Sequence, residues 1–85
     1  VSTSKKKVSS AKHPLDQYVI NKVRIKRKEA AMSQDDLAIL LETSAGFIGQ
    51  VESDRYKTKY SLSHLNELAK IFKCSIKEFF PDKPL

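Results

Sequence analysis

Eighty-five residues, 40% of them apolar, with 16 Lys and Arg against 10 Asp and Glu for a formal charge of +6, suit one small domain with a single helical core and no second one. No run approaches the roughly 18 apolar residues that a membrane span needs, and the lysines near the start precede no apolar segment, so neither a membrane partner nor a signal peptide is supported and the cytoplasm is the expected location. Cys74 stands alone, which excludes an intrachain disulfide framework and a thiolate zinc site.

Residues 1–13, VSTSKKKVSSAKH, are rich in Ser and Lys and have little to bury, so they read as a flexible basic tail. Such a tail is either solvated or an arm that follows DNA. The domain itself is expected over residues 14–81, with 82–85 as a short C-terminal tail. Its first helix runs from Leu15 to Ala30, started by Pro14 and Asp16, with Leu15, Val19, Ile20 and Val23 turned inward. Lys22, Arg24, Lys26 and Lys28 occupy the other face, either as a surface for phosphates or as an ordinary wet one.

Residues 33–54, SQDDLAILLETSAGFIGQVESD, carry the most information. After a Ser33 cap, Leu37, Ala38 and Leu41 recur at helical spacing, and Ser44 then caps a second short helix with Ile48 and Val51 on its buried side. Ala38 is small where two steeply crossed helices need close backbones. Beyond them, residues 53–61, SDRYKTKYS, hold the densest basic and aromatic cluster of the domain. A fourth helix, Ser61 to Phe72, presents Leu62, Leu65, Leu68, Ala69 and Phe72 inward, widened by Ile71. A fifth, Ser75 to Phe80, has Ser75 and Glu78 placed as a capping box and is stopped by Pro81. Ile76 and Phe79 should seal the core, while Phe80 either covers a partner or packs back on its own helix.

The stretch with Gln34, Leu37, Ala38, Ser44, Ile48 and Glu52 resembles the helix-turn-helix of the phage-repressor and Cro-like (XRE-type) transcriptional regulators, and the similarity extends from about Val19 to Phe80. It implies an all-α, compact five-helix domain like that of the lambda repressor, with a central helix-turn-helix. Two departures stand out. Glu42 and Asp54 occupy positions where the family usually has glycine, and the 53–61 connection is about two residues longer and lacks the usual proline. A left-handed conformation costs glutamate more than aspartate.

The resemblance also implies roles. Gln34 and Ser44 match phosphate-positioning residues, and Ala45, Gly46, Phe47, Gly49 and Gln50 match groove-facing ones. Gln50 offers the donor and acceptor that adenine N6 and N7 require, and Ala45 suits a thymine methyl, whereas two glycines read nothing directly and each weakens a helix by about 0.5–1 kcal/mol. They either allow close backbone approach or mark weak or indirect specificity. Phe47 either stacks on sugar or thymine methyl, or turns toward Leu41. Arg27 matches an arginine that pairs with the counterpart of Glu52, the alternative being an exposed side chain. In this architecture Arg55, Lys57 and Lys59, ahead of Tyr56 and Tyr60, lie beside the DNA backbone and suit phosphates.

Nothing suggests catalysis. Ser63 and His64 are merely adjacent, and Asp35 and Asp36 belong to the first turn of a helix, where acid is favourable for structural reasons. No cofactor is implied; His13 and His64 lie far apart without a metal-binding pattern and are expected at the surface. The expected function is sequence-specific binding of a double-stranded DNA operator by a transcriptional regulator, a repressor, acting as a homodimer on palindromic half-sites. Phe79, Phe80, Lys83 and Leu85 are the dimer candidates. The alternatives are an antitoxin or restriction-modification controller, and a protein-interaction module with its own protein partner.

Overall fold

Serine supplies the start of nearly every helix in this chain. The computed structural model describes residues 12–85, and along them run α1 (Pro14–Glu29), α2 (Gln34–Leu41), α3 (Ala45–Glu52), α4 (Leu62–Phe72) and a 3-10 turn (Ile76–Phe79). Ser33, Ser44, Ser61 and Ser75 sit at N-caps with extended backbone and accept from amides of the following turn, which satisfies donors that a helix leaves open. Asp36, His64 and Glu78 return the bond to the cap amide. The bond from the Ser33 amide holds the Asp36 carboxyl below its ordinary pKa. At α1 the cap is His13, whose Nδ1 accepts from the Leu15 amide at 3.0 Å, with Pro14 just inside the helix.

The opposite ends share another device. At the ends of α1, α2 and α4 the chain turns through Ala31, Glu42 and Lys73, all with positive φ. Each turn carries the paired bonds of a Schellman motif, for example Thr43 N–H to the Ala38 carbonyl at 2.9 Å and Glu42 N–H to Ile39 at 3.2 Å, which satisfies the last open carbonyls. Glu42 thus takes the left-handed conformation at the helix-turn-helix corner. Asp54 does not, because α3 ends differently, with Ser53 extended.

α3 packs on α2 and α1, α4 on α2, and the 3-10 turn on α1 and α4. The core between them contains Val19, Ile20, Val23, Leu37, Ala38, Leu41, Ile48, Val51, Leu65, Leu68, Ala69 and Phe79. Among the described residues there is no strand.

Several expectations require correction. The fold has four α-helices rather than five, because the Ser75–Phe80 segment closes only i to i+3 bonds such as Glu78 N–H to Ser75 O and Phe80 N–H to Lys77 O; it is too short for more, with Phe80 extended ahead of Pro81. Leu15, Ile76 and Leu62 are exposed, Leu62 by 75%, since the first turns of α1, the 3-10 helix and α4 project past the edge of the core. Tyr60, read as a loop residue suited to phosphate, is a core residue. Phe79 is fully buried and unavailable to a partner.

The basic-tail reading of residues 1–11 lies outside the described residues, but its last two residues belong to the fold. Beyond the His13 cap, the buried Lys12 ammonium donates to the backbone carbonyls of Ser53 and Tyr56. It closes the end of α3, where a cation also suits the helix dipole.

The left-handed corner at Glu42 yields a direct test. An L-residue there costs about 1–2 kcal/mol, and glycine removes this at a smaller cost in unfolded-state entropy. Glu42→Gly should raise the unfolding free energy by about 0.5–1 kcal/mol, read as a higher urea midpoint at unchanged m-value.

Candidate nucleic-acid interface

Arg27 and Glu52 lie 25 residues apart in the chain and meet in a two-pronged pair. Arg27 Nε donates to Glu52 Oε2 and Nη2 to Oε1, both at 2.9 Å. Their side chains are only 8% and 4% exposed. The third prong, Nη1, donates to the Met32 carbonyl at 2.7 Å in the α1–α2 corner. A guanidinium suits this role, because its planar fork matches a carboxylate and leaves a further donor for the carbonyl.

Glu52 also reaches α2. Its Oε1 accepts from Gln34 Nε2 at 3.0 Å, with Arg24 Nε 3.8 Å away. One carboxylate at the end of α3 therefore joins α1 and α2. Gln34 passes over Gly49, where a Cβ would lie 3.5 Å from Gln34 Oε1, an ordinary van der Waals distance. A Cβ on Gly46 would meet only Ser44 Oγ, at 3.8 Å. Neither glycine has positive φ, so the packing of the chain itself demands glycine at neither site.

Away from the core, α3 exposes Gly46 and Gln50, with Ala45 and Gly49 half-covered. Ser44 accepts the Phe47 amide at 3.0 Å, so its side-chain oxygen is engaged in starting the helix. Phe47 turns inward. Its ring lies 5.1 Å from His64 and 6.1 Å, edge-on, from Tyr60, forming an aromatic cluster that joins α3 to α4 and leaves Phe47 half-buried against the core. His64 is accordingly half-buried, with Nδ1 accepting the Ser61 amide at 3.1 Å, and not the surface residue that the sequence suggests.

The loop after α3 places Arg55, Lys57 and Lys59 in solvent together with Tyr56. Lys59 pairs loosely with Asp16 at 3.4 Å. Thr58, absent from the sequence-based set, donates its hydroxyl to Gln50 Oε1 at 3.2 Å. Lys12 was missed as well, because one lysine within a basic stretch carries no sequence signal of burial. Among the described residues no group of His, Cys, Asp and Glu can hold a metal ion, Cys74 is a half-buried free thiol, and no helix is long and apolar enough to cross a membrane.

Two changes probe this arrangement. Glu52→Ala strips Arg27 of its buried partner and should cost about 3–5 kcal/mol of stability by denaturant unfolding. The Tyr60 hydroxyl is buried without a hydrogen-bond partner among the described residues, and burial, reinforced by the Glu52 carboxylate and opposed by Arg27, raises its pKa well above the ordinary tyrosine value. The unfolded chain then releases this proton from about pH 10 while the folded chain retains it, so stability falls as the pH rises past that point. Tyr60→Phe should be neutral or stabilising at pH 7 and lose less stability than the parent near pH 10.5, both read from thermal melts at about those pH values.

A sequence model of the Cro/C1-type HTH DNA-binding domain matches residues 22–84. Among solved structures, the restriction-modification controller protein C.AhdI from Aeromonas hydrophila is 25% identical with a TM-score of 0.63, over 74% of this chain and 92% of its own. The hypothetical transcription factor NHTF from Neisseria aligns at 19% identity and a TM-score of 0.67, over 79% of this chain and 75% of its own. Hydroxypropylphosphonic acid epoxidase from S. wedmorenis aligns at 19% and 0.68, but this chain, 81% of which is covered, spans only 36% of that one; the likeness there is one of fold. None of the curated proteins compared with the chain matches it. The family match takes in α2, α3 and the turn between them, and the chain belongs to the Cro/C1-type helix-turn-helix DNA-binding domain family.

Proposed function

We propose that this protein is a transcriptional regulator that reads a double-stranded DNA operator with α3 and represses by covering it. The supporting observation is the shared carboxylate of Glu52. It fixes α3 against α1 and α2 while Gly46 and Gln50 stay exposed, as a helix entering a major groove requires. Ala45, Gly46, Gly49 and Gln50 form the groove face, with Phe47 supporting it from behind. Arg55, Lys57 and Lys59 hold the flanking phosphates; Gln34 and the Ser44 region set the register.

A single α3 contacts few base pairs, so tight binding calls for two copies on a palindrome, with half-sites about 34 Å apart. Phe80, Lys83 and Leu85 remain the dimer candidates. The protein acts in the cytoplasm, without cofactor or catalysis. A second reading, a restriction-modification controller, is favoured by the 25% identity to C.AhdI; adjacent restriction and methylation genes would support it.

Enrichment of random duplex DNA on the purified protein, followed by fluorescence anisotropy across a salt series, tests the proposal. A palindromic sequence bound at least about a thousandfold tighter than random DNA is expected; absence of enrichment would overturn it. Lys57→Ala should weaken all sequences alike and reduce the salt slope by about 1. Gln50→Ala should instead relax preference at one or two base pairs, at a cost of about 1–3 kcal/mol on the best sequence.

A further inference from the structure

On the reading of α3 as a base-reading helix, we propose that Arg24 of α1 binds a phosphate of the DNA strand that passes beside the start of α2. The Glu52 carboxylate faces two guanidiniums, and Arg27 takes both of its oxygens at 2.9 Å. Oε1 also accepts from Gln34 Nε2 at 3.0 Å. Arg24 Nε is left 3.8 Å from that oxygen, outside hydrogen-bond range, and among the described residues Glu52 is the only carboxylate paired with it. Two cations on one anion leave a positive charge over. Arg24 carries it toward solvent, since its side chain is 47% exposed against 8% for Arg27.

The position of this charge points to DNA. Gln34, which shares Oε1 with Arg24, comes within 3.5 Å of a Cβ placed on Gly49, a residue of the proposed groove face. α2 opens there with Asp35 and Asp36, acids that repel a DNA strand, and a cation beside Gln34 offsets the repulsion. A half-exposed guanidinium also matches the ligand, because phosphate oxygens accept two parallel N–H bonds from its fork. The other cations of α1 are disposed differently. Lys26 pairs with Glu78 at 3.1 Å, and the Lys22 ammonium lies 5.6 Å from the centre of the Tyr18 ring, both along the groove between α1 and the 3-10 turn. Lys28 is exposed one turn further on, with no hydrogen bond or ion pair among the described residues to hold it.

The test compares wild type, Arg24→Gln, Arg24→Lys and Lys22→Ala by fluorescence anisotropy on the best enriched duplex and on random duplex DNA across a salt series, with thermal melts to verify folding. Arg24→Gln keeps a stem and a donor for Glu52 but removes the charge, and Lys22→Ala removes an equal charge from another side of α1. Arg24→Gln should weaken both DNAs alike and reduce the salt slope by about 1. Its deficit against wild type should therefore shrink about three- to fourfold between about 50 and about 200 mM salt. Arg24→Lys should keep the slope, and Lys22→Ala should stay near wild type. Wild-type affinity and slope in Arg24→Gln would overturn the proposal, as would a loss at unchanged slope, a loss confined to the best sequence, an equal loss in Lys22→Ala, or an Arg24→Lys that behaves like Arg24→Gln. An Arg24→Gln protein that does not fold would make Arg24 a structural residue and overturn it too. If wild type enriches no sequence at all, the operator reading itself fails and this proposal with it, an outcome already visible before any variant is compared.

Discussion

The orientation of the whole helix-turn-helix depends on one buried guanidinium. Arg27 bonds to the end of α3 through Glu52 and to the α1–α2 corner through the Met32 carbonyl, and Glu52 passes the constraint on to α2 through Gln34. A buried ion pair of this kind adds little net stability over an apolar replacement, since desolvation offsets most of the attraction. Its value here is geometric. Apolar side chains tolerate small rotations and slides, whereas a fork of directed bonds between three helices admits one arrangement. α3 needs this, because eight residues containing two glycines form a helix that is marginal by itself.

The same end of α3 depends on a second distant cation. The Lys12 ammonium, from ahead of α1, holds the Ser53 and Tyr56 carbonyls and closes a helix that lacks the left-handed corner used by α1, α2 and α4. α1 and the residues leading into it thus clamp α3 at its last turn by two basic residues, one on a carboxylate and one on backbone. The loop that carries Arg55, Lys57 and Lys59 starts from this clamp, so its position follows that of α1.

Much of this was legible in the sequence. The serine caps at Ser33 and Ser44, the apolar spacing of Leu37, Ala38 and Leu41, and Ile48 with Val51 mark the helix-turn-helix by local rules alone. What escaped was tertiary. Periodicity places Leu62 with Leu65 and Leu68, but it does not show that the first turn of α4 extends beyond the core. Tyr60 lies in an aperiodic basic stretch, and only the return of the loop over α3 brings it beneath Phe47 and His64. The link between Thr58 and Gln50 depends on the same return. The Ser75–Glu78 capping box was readable, yet a box marks where a helix starts and not whether it lengthens into an α-helix.

The chain has two glycines, both in α3, while among the described residues the three positions where the backbone favours glycine hold Ala31, Glu42 and Lys73. This distribution gives the domain an uneven capacity for change. Sequence drift on the exposed side of α3 begins from a helix with little intrinsic strength, so many new side chains there would strengthen it relative to glycine. Compensating changes are available at corners that take no part in the proposed base reading. On the proposed reading, a protein built this way has room to acquire a different operator without first losing its fold.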